Sequence, residues 1–265
     1  MDGGKAENES RGDGSIGRVF DVLDLFTPEL GVLRVEDVTD RLGYTRSTAY
    51  RYLKSLCDAG LLAPTGGGAY SLGPRIVELE RLMHLTDPLL RGGERALPGL
   101  ADAFPNSIVL LSSLYRDKVL CVHRAGPQAI RTGGRSVHIL RARGFPMPLF
   151  RGAASLVILA FLPSHRIRAL FLARQAEMAR EGLGQEWAAV RVRLAAIRRE
   201  GHVTTVGQFN PDLAAVAVPV LACEGAPVLG SLTRIMAASD HAASDQEAVQ
   251  RDLAAGALRI VPSFP

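Results

Sequence analysis

Between Ile16 and Leu56 the apolar positions recur at helical spacing in three successive blocks. The first sets Ile16, Val19, Phe20, Leu23 and Phe26 on one stripe, with Ser15 as its N-cap. It is expected to end at Thr27-Pro28, because proline disfavours helix at the residue before it. The second block, near Val35–Leu42, turns Val35, Val38 and Leu42 inward, and Gly43 supplies the permissive backbone of a tight turn. The third starts near Thr45, sets Ala49, Leu53 and Leu56 at i, i+4 and i+7, and ends at Ala59-Gly60. Two short strands follow, Leu61-Leu62-Ala63 and Ala69–Leu72, joined across Thr65-Gly66-Gly67-Gly68. Helix, glycine turn, helix and hairpin in that order predict a winged helix-turn-helix, a module that lays one helix in the major groove of DNA.

Pro74 opens a further helix carrying Ile76, Leu79, Leu82/Met83 and Thr86 on one face, and Asp87-Pro88 breaks the run. Its stripe needs a partner, either the following domain or the same helix of a second subunit. Beyond Leu89 the pattern changes. Ser107–Leu114 and Lys118–His123 read as an apolar hairpin around Tyr115-Arg116-Asp117, with a third strand near Val137–Leu140. Helices follow at about 152–162, 164–178 and 186–200, then strands at His202–Gln208, Ala214–Leu221 and Val228–Ile235, and a last helix at about 244–258. Strands, helices and strands again predict an α+β domain, a mostly antiparallel sheet flanked by helices. The resulting organisation is a polar, disordered leader over 1–14, a DNA-binding domain over 15–73, a linker helix over 74–88 and a second domain over 89–265.

A length of 265 residues suits two domains, and 47% hydrophobic with 22% charged residues is ordinary for a core-forming protein. The net charge of +4 permits a nucleic-acid partner without requiring one. Its distribution says more. From Arg41 to Leu56 the chain holds Arg41, Arg46, Arg51 and Lys54 and no acidic residue, whereas Glu36, Asp37 and Asp40 precede that stretch and Asp58 follows it. The helix that buries Ala49, Leu53 and Leu56 therefore presents Arg46, Ser47, Tyr50, Arg51 and Lys54 on its other side. Its first turns make Thr45, Arg46, Ser47 and Tyr50 the candidates for base contacts, Arg46 being able to pair bidentately with guanine. Arg51 and Lys54 are better placed for phosphate, Thr48 for capping or packing, and Tyr52 for the core. The turn Thr65–Gly68 carries no positive charge, so any contact from it would be weak.

Along nearly its whole length the chain resembles transcriptional regulators of the IclR family. LGYTRSTAYRYLKSLCDAGLL and YSLGPR carry the resemblance in the first half; DKVLCVHR, FPMPLFRGAASLVILAFLP, IRREGHV and AVAVPV…PVLGSL continue it in order. The resemblance implies a winged helix-turn-helix, a linker helix and a GAF-like effector-binding domain. It also implies a homodimer or dimer of dimers on palindromic double-stranded operator DNA, and puts Arg51 at the family's motif arginine.

In such regulators the loop and helix start reading roughly G-x-x-x-PLHATA-x-GKA line a ligand pocket. Here that stretch is Phe145–Leu156, with Phe150 at the usual histidine and Ser155-Leu156 at the usual Gly-Lys. Phe145, Leu149, Phe150, Gly152, Ala153, Ala154, Val216 and Leu232 are thus expected to line an apolar effector pocket, and Arg234, where a serine is usual, to meet a ligand carboxylate. The expected effector is a small hydrophobic or aromatic molecule; the alternative is a regulator whose sensor domain is vestigial and binds nothing.

The six histidines show no metal spacing, and no phosphate-binding glycine loop, G-x-S-x-G or H-E-x-x-H occurs, so no metal or cofactor is implied. Cys57, Cys121 and Cys223 form no C-x-x-C pair, which suits a reducing cytoplasm. An enzyme would have to use Cys121 or Cys223 as nucleophile, but both lie in apolar strand contexts that raise a thiol pKa. The N-terminus lacks the apolar core of a secretory signal, and the run Leu156–Leu162 falls short of the roughly 20 residues that span a bilayer. The expectation is a cytoplasmic, non-enzymatic, DNA-binding regulator.

Overall fold

Helical and strand periodicities separate along the chain, and so do the two units they build, which divide between Leu85 and Thr86. The computed structural model describes residues 14–139, 142–223 and 225–261. The expected leader lies outside these, apart from Gly14.

In the first unit α1 (Ser15–Leu23), α2 (Val35–Leu42) and α3 (Arg46–Asp58) pack around Val22, Leu33, Val35, Val38, Ala49, Tyr52, Leu53, Leu56 and Leu62. Strand β1 (Leu33–Arg34) pairs with β3 (Ala69–Leu72), which pairs with β2 (Leu62–Gly66), giving an antiparallel sheet ordered β1-β3-β2. Gly43 ends α2 in the left-handed region, at φ 70°. Gly67-Gly68 turn the β2–β3 hairpin with positive φ at both residues, which only glycine adopts cheaply. Helix α4 (Arg75–Thr86) completes the unit, with none of its residues buried.

The α1 expectation needs correction. The helix stops at Leu23, before Thr27-Pro28; Ser15 is its first residue and Gly14 the N-cap. Ile16 and Phe20 face solvent, while Asp21 and Val22 are buried. Placing an aspartate inward looks like an error of period until its partner is seen: Tyr44 donates its hydroxyl to Asp21 Oδ2 at 3.0 Å.

The second unit is built on a six-stranded antiparallel sheet. Its strands are β4 (Ile108–Tyr115), β5 (Lys118–Ala125), β8 (Pro146–Pro148), β9 (Val203–Val206), β10 (Leu213–Leu221) and β11 (Val228–Ala237), in the order β8-β5-β4-β11-β10-β9. Strands β6 (Ala129–Thr132) and β7 (Arg135–His138) form a separate ribbon, so the third strand expected near Val137–Leu140 is not part of the main sheet. One sheet face packs on α5 (Pro88–Ala103) and α10 (Gln246–Ile260). The other packs on α6 (Ala153–Phe161), whose first eight residues are all buried and which α8 (Trp187–Glu200) covers in turn. A helix apolar all round belongs in an interior, and this one is sandwiched. Helices α7 (Ser164–Arg180) and α9 (Ala238–Ala243) complete the unit.

Helix α4 ends at Thr86, at the expected Asp87-Pro88 break, and α5, which no sequence pattern announced, opens on the far side of it. Pro88 occupies its first turn, where a missing N–H costs nothing, and Asp87 caps it by accepting from Leu89 N at 2.8 Å. Gly92 and Gly93 are there for close approach. A Cβ on Gly92 would lie 2.3 Å from the Ile260 carbonyl oxygen.

Candidate nucleic-acid interface and effector site

Thr45 is the N-cap of α3, its Oγ1 accepting from Thr48 N at 3.3 Å. The same oxygen donates to Thr48 Oγ1 at 2.9 Å and lies 3.2 Å from Ser47 Oγ. Three hydroxyls thus gather at the helix start, with Thr48 turned into the cap and half-buried. Arg46, Ser47, Tyr50, Arg51 and Lys54 are all exposed, on the side opposite Ala49, Leu53 and Leu56. Tyr50, Arg51 and Lys54 form one wall of an open cleft of about 550 Å³ whose other side is Pro64 and Tyr70 of the hairpin, with Cys57 between. Burial and the neighbouring Asp58 carboxylate push the Cys57 thiol pKa up.

Arg46 is not a bare cation. Its Nη1 lies 3.0 Å from Glu36 Oε1, and its guanidinium sits 5.8 Å from the Tyr50 ring centroid. Both partners strengthen its hold on its proton, Tyr50 the more. In the sequence Glu36 is only one of the acids flanking the basic stretch. Its signal, an acid in the first turn of α2 facing the first turn of α3, needs the interhelix turn to become visible.

In the second unit the expected effector residues fall on two sides of the sheet. Phe145 is exposed; Leu149, Phe150, Gly152, Ala153 and Ala154 are buried on the α6 side. Val216 and Leu232 belong to the α5–α10 side, and Arg234 shares it. The reason is strand period. Ala215 and Ala217 of β10 turn toward α6, so Val216 turns away; across β11 the residues paired with them are Ile235 and Thr233, leaving Leu232 and Arg234 on the far side. Arg234 Nε donates to Ser107 Oγ at 3.1 Å, and the guanidinium stacks 4.2 Å from the Phe104 ring centroid. Burial pushes its pKa down, against the pull of Asp240 and Asp252. It cannot clamp a ligand held beside Phe150.

Phe150 is itself fully buried. The Arg174 guanidinium covers it at 4.7 Å, gripped by both oxygens of Glu177 at 2.8 Å and by Asp117 at 2.9 Å. At the start of α6, Gly152 N donates to Gln208 Oε1 at 3.1 Å, and Arg151 stacks on Phe209.

Residues the sequence did not single out are more telling. Ser112 of β4 and Ser231 of β11 are cross-strand partners, and Thr233 follows two positions on. All three face α6, which packs on β4, β10 and β11 and contributes Ser155. The hydroxyls of Ser112, Ser155, Ser231 and Thr233 are buried with no hydrogen-bond partner among the described residues. Buried hydroxyls are normally paired, so these four are polar groups in an apolar interior without a complement.

Residues 15–66 match the family described as the IclR helix-turn-helix domain. The HTH-type transcriptional regulator Rv1719 of Mycobacterium tuberculosis is 29% identical over 240 residues, covering 83% of this chain and 87% of that protein. The match over residues 15–66 lies within the first unit, which is an IclR-type helix-turn-helix domain. The chain's fold is that of solved IclR regulators. One from Silicibacter sp. TM1040 superposes with a TM-score of 0.75 at 22% identity, covering 95% of this chain and 100% of that one. An IclR homologue of Microbacterium hydrocarbonoxydans, solved with 4-hydroxybenzoate, gives 0.64 at 20% identity over 94% and 98% of the two chains. The chain is a DNA-binding transcriptional regulator. Among its described residues no helix is long and apolar enough to cross a membrane, and no cluster of His, Cys, Asp or Glu is arranged to hold a metal ion. Cys121 is fully buried, its thiol donating to the His123 carbonyl at 3.5 Å, whereas Cys223 is exposed.

Proposed function

We propose that this chain is a ligand-responsive regulator that reads DNA with α3 and senses a small molecule between its six-stranded sheet and α6. Thr45, Arg46, Ser47 and Tyr50 meet base edges, Arg51 and Lys54 meet phosphates, and Thr48 sets the cap that aims them. The organisation proposed is a DNA-binding domain over 15–73, a linker helix over 74–88 and an effector domain over 89–265. Two copies join to place two α3 helices on a palindromic site, because one recognition helix reads too few base pairs for useful specificity.

The observation that carries the sensing half is the set of unpartnered hydroxyls of Ser112, Ser155, Ser231 and Thr233. A ligand that fills this region brings oxygen atoms to meet them and apolar surface to meet Leu156, Leu159 and Ala217 around them. The 4-hydroxybenzoate held by the Microbacterium homologue is a molecule of that kind. The test is a thermal-shift panel of phenols and aromatic acids including 4-hydroxybenzoate, followed by DNA binding with and without each stabilising compound. A hit that stabilises the protein and changes its DNA affinity supports the reading. The complete burial of Leu149 and Phe150 favours a second reading, a sensor domain packed shut; a panel in which no compound shifts unfolding selects it.

A further inference from the structure

We propose that Glu36 is a specificity-determining residue of the DNA interface, acting through Arg46, whose charge it balances and whose guanidinium it holds at the first turn of α3. The proposal rests on α3 being the helix that reads DNA.

Helix α2 begins with two adjacent acids that do different things. Asp37 is committed to its own helix end, its Oδ2 accepting from Arg34 N at 2.7 Å. Glu36 instead reaches across to α3 and pairs with Arg46 at 3.0 Å. The Tyr50 ring, one turn on, flanks the same guanidinium. Arg51 and Lys54 form no ion pair among the described residues. The basic face of α3 therefore holds two kinds of cation. One is balanced by a carboxylate at the end that meets bases. Farther along, at the cleft beside the hairpin, are Lys54 and Arg51, without an acidic partner among the described residues, Arg51 lying 5.3 Å from the Tyr52 ring centroid.

That division has a consequence for selectivity. A guanidinium carries five N–H donors, so one edge can stay on a carboxylate while the other meets guanine O6 and N7. A phosphate approaching Arg46 would meet the Glu36 carboxylate too, and like charges set side by side are unfavourable. Binding to any duplex is driven by cations that release counterions from phosphates. Glu36 withholds Arg46 from that sequence-independent contribution while leaving it able to reward the right base. Discrimination comes from weakening the wrong complex as well as strengthening the right one.

The test starts from duplexes selected by the parent protein from a randomised pool. Parent, E36Q, R46A and E36Q/R46A are then compared on the selected consensus, on single-pair variants of it and on an unrelated duplex of equal length, across a salt series. E36Q is expected to bind the unrelated duplex about 3- to 10-fold tighter and the consensus less than about twofold tighter, and to steepen the salt dependence by about one released ion. It should unfold at the parental temperature, since an exposed ion pair adds little stability. On the R46A background the Glu36 substitution should have no further effect, because the carboxylate acts through that arginine. R46A relaxing one base pair while E36Q keeps the parental salt slope and selectivity would overturn the role of Glu36 alone. R46A keeping the parental preference at every base pair would overturn the reading of Arg46 itself, and this proposal with it.

Discussion

Tyr44 donates its hydroxyl to Asp21 at 3.0 Å, bolting the turn between α2 and α3 to α1 through a carboxylate that is 4% exposed. Burial and the hydrogen bond to Asp21 push the Tyr44 pKa up to about 12. The pair thus fixes the angle at which α3 leaves the turn, and it does so with a titratable bond.

Tyr44→Phe leaves Asp21 buried without its donor and is expected to destabilise the DNA-binding unit by about 1–3 kcal/mol. The folded pKa lies above the unfolded value of 10.0, so the contribution is fully present below pH 10 and is lost as pH rises toward about 12. Denaturant unfolding of parent and variant should show a gap that is constant from pH 7 to 9 and closes above pH 10. A gap that widened with pH would contradict the assignment.

On the DNA face two variants should behave differently. Arg46→Ala is expected to cost about 1–3 kcal/mol at one base pair and little elsewhere. Lys54→Ala should weaken all duplexes alike and flatten the salt dependence by about one ion. Fluorescence anisotropy on consensus and scrambled duplexes across a salt series separates them. Parental behaviour of both would remove α3 from the interface.

The packing around Phe150 is also testable. Phe150→Ala empties a fully buried ring site and should cost about 3–5 kcal/mol. Arg174→Ala should cost less, because it removes only the stacked guanidinium and its pairs with Glu177 and Asp117, which are partly open to solvent. Were Phe150→Ala nearly neutral in thermal unfolding, the ring would be lining a cavity instead of filling the core.

Much of the DNA-binding unit was legible because its signals are local. The αL turn at Gly43, the cap at Thr45 and the two faces of α3 each occupy a few adjacent residues. In the second unit, by contrast, α5 was hidden by Pro88, Pro98 and three glycines, two of which make room for side chains and backbone distant in sequence, Gly92 for Ile260 and Gly93 for Leu111. The expected effector residues fall on two faces of the sheet for a related cause. Deciding whether Ser231 or Leu232 faces α6 requires the strand register, and a one-residue error in a period-two element moves every side chain to the other face. Arg234 drew notice as a charge in an apolar strand; Thr233 beside it, with its unpartnered hydroxyl, did not.

Association of two copies is expected to use α4. Ile76, Leu79, Leu82 and Met83 are exposed on it, and no residue of this helix is buried within the chain. An apolar stripe left open to water marks an interaction surface. Sedimentation at micromolar concentration should show a dimer or larger species for the parent, and a shift toward monomer for Leu79→Glu combined with Met83→Glu. A monomeric parent would rule this out.

The last expectation concerns the hydroxyls under α6. Thr233→Val replaces the buried, unpartnered hydroxyl of a residue that is 2% exposed with a methyl of nearly the same shape. A buried hydroxyl without a partner costs about 1–3 kcal/mol, so the ligand-free variant should be more stable than the parent, against the usual direction of core substitutions. Any compound that stabilises the parent by meeting this hydroxyl should lose its effect on the variant, while its effect on Arg234→Ala, on the opposite face of the sheet, should remain. Calorimetric unfolding of the three proteins with and without the compound reads both halves at once. Destabilisation by Thr233→Val would mean that the hydroxyl already has a partner within the fold. Loss of ligand response in Arg234→Ala but not in Thr233→Val would move the site to the α5–α10 face.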